Sequence, residues 1–600
     1  MRFVPAGYSA VLALLIVGPL VGSGYLLLRD AVSTPRSYLT DSALGLGDAA
    51  PRAVPQDALL AVLSPVIDGG LIVKAILLVA LWAAGYGAAV LARELVGASV
   101  GAQLVATTVA LWNPYVAERL LQGHWSLLAG YAALPWVALA AYRIRTAARD
   151  AGWRDTASAW AGSAGCLAAA GLTPTGALLA GVTALSLAGR RRFLGVLALL
   201  IAASAPWLTA TALSGVASEP SDPVGIAAFA ARAEPGLGTL GSLAGLGGIW
   251  NGDAVPDSRT TLLALIGTGL LLVIVATGLR AVVIGGDRDS RYARRALVVL
   301  AALAVLLPAL GATPWGMHVL EWLVAHVPGA GLLRDTQKYV ALAMPAYALC
   351  AAAGCGVLAR RFSTTVDDPQ RAGQGNGSDT HHTSLASAPL ANLSPAVSRS
   401  VATIFIALLI LPLLDLAWGV SGAMRPVHYP AGWQQIAERV DGPGDVAVLP
   451  GGMFRKFRYS GKSPVLDPAP RMLPSDVLQT GELPVRGRTV SGEGTRAREV
   501  ETLLLHGGSA QELAAHGVGL VLVERSTPGP LGESKTTLAQ LDQVFSDDDL
   551  ALYRVPGAIH LRDRSSINRT FVVAAHALWA ILLVGGLLIA AITPRAGRKQ

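Results

Sequence analysis

The chain has 600 residues, of which 53% are hydrophobic and 14% charged, and its mean hydropathy is +0.51. These values exclude an ordinary soluble globular protein and fit a polytopic membrane protein. The formal net charge of +8 does not point to nucleic acid, because Lys and Arg fall in short clusters between apolar runs, as the positive-inside rule expects.

Met1-Arg2 leads into an apolar run that reaches Leu28. Its charge and order resemble a signal peptide, yet it is long enough to span and shows no small-residue cleavage site, so it reads as a retained first helix. Arg29-Asp30 follows at once, and a polar loop through Asp41, Asp48 and Asp57 leads into an amphipathic segment near 58–66. Further apolar runs lie at about 70–92, 98–113, 125–142, 156–172, 175–189, 193–214, 260–282, 295–311, 339–358, 400–420 and 570–593. With the first they predict about twelve tilted transmembrane helices.

Arginine placement sets the orientation. The links holding Arg143, Arg145, Arg149 and Arg154, then Arg190 to Arg192, then Arg288, Arg291, Arg294 and Arg295, then Arg360 and Arg361 all fall on one side in strict alternation. Arg2 and the tail residues Arg595, Arg598 and Lys599 join that set. The expectation is a multi-pass plasma-membrane protein with both termini cytoplasmic and exterior segments at 29–69, 113–124, 216–259 and 313–338. The aperiodic polar link 363–400, with its His381-His382 pair, reads as a flexible cytoplasmic linker within a membrane domain 1–420.

The stretch Asn113-Pro-Tyr-Val-Ala-Glu-Arg-Leu-Leu-Gln-Gly-His-Trp125 sets polar residues between two apolar runs. Pro114 can open a helix on which Glu118, Leu121 and Trp125 share a face, with Arg119 and Gln122 flanking it and His124 close by. Two readings stand: a polar seam for chemistry or binding, or an interfacial hairpin anchored at the headgroups by Trp112, Tyr115 and Trp125. Farther on, Arg334 and Lys338 bracket Asp335 and Gln337 just before an apolar run. They suit a phosphate, with Arg as a fork and Lys as a point charge; they equally suit a snorkelling pair with Asp335 as counter-ion. Lys74 and Asp415, in or near spans, read as functional or as snorkelling charges.

Cys166, Cys350 and Cys355 lie within apolar runs and read as small buried hydrophobes. No P-loop, GxSxG, HExxH or CxxC pattern occurs, and no fixed-period repeat stands out. The polar region 421–566 predicts an extracytoplasmic mixed α/β domain. Asp445-Val-Ala-Val-Leu-Pro and Gly519-Leu-Val-Leu-Val-Glu read as buried strands, and 433–440 and 510–516 as helices. Gly451-Gly452 with Arg455, Lys456 and Arg458 suits either a phosphate cradle or, preferably, a basic turn. Residues 567–600 read as a final transmembrane helix with a basic cytoplasmic tail.

This order of features, together with the phrases Trp112-Asn-Pro-Tyr-Val-Ala-Glu-Arg-Leu, Gly248-Gly-Ile-Trp-Asn251, Leu333-Arg-Asp-Thr-Gln-Lys338 and Val465-Leu-Asp-Pro468, resembles GT-C-type glycosyltransferases that use polyprenyl-phosphate sugars. The resemblance implies a GT-C-like helical membrane fold, a polyprenyl-phosphate sugar donor, and an envelope glycan or lipid acceptor. It places an acidic residue that acts as catalytic base or orients the acceptor early in the first exterior loop, where Asp30 stands between Arg29 and Ala31 rather than in an Asp-Asp or Asp-Glu pair. Glu118 is the second catalytic candidate. Arg119, His124, Arg334, Gln337 and Lys338 are the candidate donor-phosphate residues. No cofactor is fixed by the sequence, and a divalent metal stays compatible with it. A lipid or glycan transporter or flippase, and a non-catalytic envelope-assembly protein, are the competing readings.

Overall fold

The computed structural model describes residues 3–48, 50–147, 153–213, 222–366, 395–485, 488–561 and 565–592. Arg2, Arg149, His381-His382 with most of the 363–400 link, and the basic tail after 592 lie outside the described residues.

Apolar runs become helices because a helix satisfies its backbone groups internally. Among the described residues eight helical segments are long and apolar enough to cross a membrane: Phe3–Val21, Gly69–Val96, Trp125–Thr146, Leu263–Ile284, Arg288–Gly311, Thr336–Ser363, Ala396–Gly422 and Ser566–Ile592. A pair bent by 63°, Phe193–Ala203 and Ala205–Leu213, makes up to nine. The other runs counted toward twelve form Val100–Leu111, Trp153–Ala170 and Pro174–Ala188. At 12, 18 and 15 residues these are helical but do not pass as full crossings.

The first run also ends sooner than its hydropathy suggests. Its α-helix stops at Val17, a 3₁₀ turn with Pro19 follows, and 25–28 is already a strand. Elsewhere small residues set the spacing between helices: a Cβ on Gly278 would collide with the carbonyl oxygen of Cys350, so Leu263–Ile284 lies backbone to backbone on Met344–Val366.

The C-terminal region is mixed α/β. Its four-stranded sheet runs Asp542–Ser546, Leu550–Arg554, Val518–Glu524, Asp445–Leu449, with only the last two neighbours parallel. Alternate residues serve opposite faces: Leu520 and Leu522 pack with Trp433, Phe457 and Leu552, and Val521 packs with Leu449, Val500 and Leu513. The core on the first face includes Leu27 and Val32 of the N-terminal hairpin, Tyr25–Leu28 and Ala31–Val32. That hairpin adds Pro426–Val427 as a third strand, so the first loop and the C-terminal domain pack as one unit at one end of the helices.

Candidate active site

Asp30 sits at the tip of this hairpin, in the two-residue link between paired Leu28 and Ala31. Three elements hold the tip. Its neighbour Arg29 donates to the carbonyls of Leu121 (2.6 Å) and Asp253, while the Asp30 N–H donates to the carbonyl of Gln122 (3.1 Å). Both Leu121 and Gln122 end the helix Pro114–Gln122, whose last carbonyls have no intrahelical partner and favour a cation. From the C-terminal domain, the Leu466 N–H donates to the Arg29 carbonyl at 2.8 Å. Arg29 pays for this with φ +48°, a left-handed backbone that a side chain adopts only when its surroundings fix it.

The helix itself follows from local sequence. Asn113 caps it by accepting the Val116 N–H at 3.1 Å, Pro114 opens it, and Gly123 (φ +86°) closes it. A Cβ on Gly123 would run into the backbone at Leu28 and Ala31, so glycine is what lets the helix end abut the hairpin. Because Gly123 closes the helix, Trp125 begins the next one and does not share a face with Glu118. Trp112, Tyr115 and Trp125 are all buried in the protein, contrary to a role as headgroup anchors.

Asp30, His124 and Arg119 form a relay. The His124 Nε2 lies 2.9 Å from Asp30 Oδ2, and the Gln122 amide donates to the same oxygen at 3.1 Å. On the other ring face, Arg119 Nη1 lies 3.1 Å from His124 Nδ1. A guanidinium only donates, so Nδ1 must accept, and the ring proton is left on Nε2, where it donates to the Asp30 carboxylate. Burial lowers the His124 pKa, and Lys338 and Arg119 lower it further against the pull of Asp30. The ring is therefore neutral near pH 7. Burial alone would raise the Asp30 carboxyl, but the bonds from His124 and Gln122 and the charge of Lys338 hold it below its ordinary value. The Asp30 side chain keeps 30% exposure and His124 16%, so this pair faces accessible space.

Behind it lies a dry tier. Glu118, Arg119 and Gln337 have no exposure. Arg119 donates to both oxygens of Asp335 (2.9 and 3.3 Å) and to Gln337 Oε1. The Gln337 amide in turn donates to Glu118 Oε2 at 3.1 Å and to the Gly247 carbonyl at 3.2 Å. Glu118 also accepts the N–H groups of Gly248 and Ile249, each at 3.1 Å. Burial, and then the Glu234 carboxylate, push the Glu118 pKa up to about 8, against Arg259, Arg119 and the Ile249 N–H. All its contacts are donors, the set a carboxylate takes. Glu118 thus ties the 247–249 loop to the site and reaches no solvent; Asn251 adds a second tie by donating to Gln122 Oε1 at 2.8 Å.

The candidate residues divide accordingly. Asp30 and His124 stand at the accessible face, and Lys338 joins them at 26% side-chain exposure, 3.8 Å from Asp335 Oδ2. Arg119, Gln337 and Glu118 are committed to one another and to Asp335, which is the counter-ion of Arg119 more closely than of Lys338. Arg334 makes none of these bonds. Its guanidinium lies 5.8 Å from the Phe229 ring and 3.7 Å from Glu493. Gln122, Asn251 and Asp335 belong to the network although the sequence reading gave them no role or only that of counter-ion; their presence inside or beside the Asn113–Trp125, Gly248–Asn251 and Leu333–Lys338 phrases was the available signal.

Other charges take structural partners. Arg455 is buried between Glu524 and Asp467 (3.0 Å to the latter), and the Gly452 N–H donates to Glu501 at 2.7 Å, an arrangement of a basic turn and not an open phosphate cradle. Lys74 donates to the Gly22 carbonyl, and Asp415 accepts from Ser258. Among the described residues no group of three His, Cys, Asp or Glu side chains is placed to hold a metal ion.

No family model and no curated protein matches the sequence. Among solved structures, the cryo-EM structure of arabinofuranosyltransferase AftD from Mycobacteria superimposes with a TM-score of 0.54 at 16% identity, over 93% of this chain and 40% of that one. A mutant form of AftD gives 0.51 at 17% identity, over 93% and 42%. The archaeal oligosaccharyltransferase AglB from Archaeoglobus fulgidus, solved with an inhibitory peptide and a dolichol-phosphate, gives 0.44 at 11% identity, over 87% and 69%, a likeness too weak to argue from. The chain spans less than half the length of AftD, and what the two share is the fold.

Proposed function

We propose that this GT-C-fold chain is an integral membrane glycosyltransferase that moves a sugar from a polyprenyl-phosphate donor to an envelope glycan or lipid acceptor at the outer face of the plasma membrane. The observation that carries this reading is the juxtaposition of an anionic, partly exposed Asp30 with a neutral His124 and the Lys338 cation. In the proposed reaction an acceptor hydroxyl attacks the anomeric carbon, Asp30 takes the hydroxyl proton, and the bond from anomeric carbon to phosphate oxygen breaks with its electron pair leaving on the phosphate. Lys338 stabilises that developing charge, and Arg334 holds the donor phosphate from the side of the 222–229 segment. His124 and Gln122 orient the Asp30 carboxylate; Arg119 fixes the His124 tautomer; Glu118 and Gln337 set Arg119 and the 247–249 loop.

The reading is tested by envelope glycan and lipid analysis of a deletion strain complemented with wild type or Asp30→Asn. Loss of one specific sugar linkage, restored by wild type and not by the variant made in equal amount, is the expected result. An unchanged glycan profile in the deletion strain contradicts the proposal.

A further inference from the structure

Outside the Asp30 relay, one cluster of charges brings three distant segments together. Arg52, from the first loop, bonds Glu493 Oε2; Arg334, next to the Thr336–Ser363 span, lies 3.7 Å from Oε1 of the same carboxylate. The Glu493 side chain is only 10% exposed and Arg334 12%, whereas Arg52 is 53% exposed. Two guanidinium groups thus grip one carboxylate, one on each oxygen. The surroundings are unfavourable to Arg334: burial first, then the nearby Arg52 charge, lower its pKa, and Glu493 and Asp222 only partly offset this. A pair of cations held this close needs an anion between them, and a carboxylate supplies one charge where a phosphate monoester, such as the polyprenyl phosphate that leaves, supplies up to two and a third oxygen.

We infer that the Arg52–Arg334 pair is a phosphate-binding subsite in which Glu493 of the C-terminal domain stands in for the phosphate and must be displaced by it. This rests on the glycosyltransferase reading for the source of the phosphate and adds to it a cation, Arg52, and an internal competitor. The stand-in also belongs to the C-terminal domain, whose nearby Ser491 N–H donates to Asp222 at 2.8 Å and so ties this region to the 222–229 segment.

The test uses the purified full chain in detergent and two probes, a short-chain polyprenyl phosphate and inorganic phosphate. Glu493→Gln keeps shape and removes the competitor, so apparent affinity should rise by about tenfold, the factor by which an occupied site discounts binding when about one site in ten is open. Arg52→Gln should weaken binding by about tenfold or more, the loss of one charge-assisted contact. A gain for both probes marks a general phosphate subsite, and a gain confined to the polyprenyl phosphate marks a lipid headgroup subsite; either supports the inference. If Lys338→Ala weakens binding while Glu493→Gln and Arg52→Gln leave it unchanged, the subsite is overturned and the donor reading survives. If none of the three variants alters polyprenyl phosphate binding, both fall. Since Glu493→Gln is expected to gain affinity, misfolding cannot imitate the supporting result.

Discussion

The relay depends on Arg119, and the most quantitative consequence of the structure is what its removal costs. Its guanidinium is wholly buried and donates to both oxygens of Asp335, itself 7% exposed in its side chain, as well as to Gln337 and His124. Arg119→Gln leaves the Asp335 carboxylate in a dry site with Lys338 at 3.8 Å as its remaining cation, and breaking a buried pair from one side costs about 3–5 kcal/mol. Asp335→Asn alone strands the Arg119 charge at a similar cost. The double variant removes both charges and should recover a large part, giving a coupling of about 2–4 kcal/mol in a double-mutant cycle. The assay is reversible or scan-rate-matched unfolding of the four proteins in one detergent. A coupling below about 0.5 kcal/mol, the level of additive distant sites, would refute the buried pair as the keystone of the site.

Other outcomes follow from the same contacts. Glu118→Leu should leave the Gly248 and Ile249 N–H groups without an acceptor and the Gln337 amide with only the Gly247 carbonyl, costing about 2–4 kcal/mol and speeding hydrogen exchange at 248–249 well before the rest of the chain opens; unchanged exchange there would count against the tie. Gly123→Ala should destabilise strongly, because the added methyl meets the Asp30 hairpin, whereas Gly269→Ala, with open space at its Cβ, should be near neutral by thermal unfolding. On pH, His124 has a lowered folded pKa, so the unfolded chain binds the proton more readily; its contribution to stability is present above the unfolded value of about 6.5 and is lost as pH falls below it. Asp30, also lowered, contributes in the same sense at more acid pH, present above about 3.9 and lost below. His124→Gln should flatten the stability profile below about pH 6.5, and a profile identical to wild type would contradict the neutral ring.

How far these features could be read from residues alone varies with how local their causes are. The helix Pro114–Gln122 was legible because its cap, its opening proline and its closing glycine all lie within the stretch. Its apolar and polar faces were not, since the partners of Glu118, and those of Arg119 other than His124, sit 130 to 219 residues away in sequence. Sequence chemistry thus identified Arg119 as a cation fit for phosphate, while the fold spends it on Asp335 and His124. Three of the four phrases that carried the family resemblance meet directly, through Glu118, Gly248 and Gln337, and the fourth, at Val465-Leu466, pairs with Arg29. Hydropathy could not see length or bend, as at Val100–Leu111 and at the 63° break near Ser204. The cation Arg52 gave no signal at all, because its meaning depends on Arg334 and Glu493, which nothing local joins to it.

The most direct measurement of the central claim is release of polyprenyl phosphate by the purified protein from a polyprenyl-phosphate sugar fraction of native membranes, in the presence of envelope acceptor, comparing wild type with Asp30→Asn. The account predicts acceptor-dependent release by wild type and a fall on the order of a hundredfold or more for Asp30→Asn, with polyprenyl phosphate binding retained. Equal release by the two proteins would contradict it.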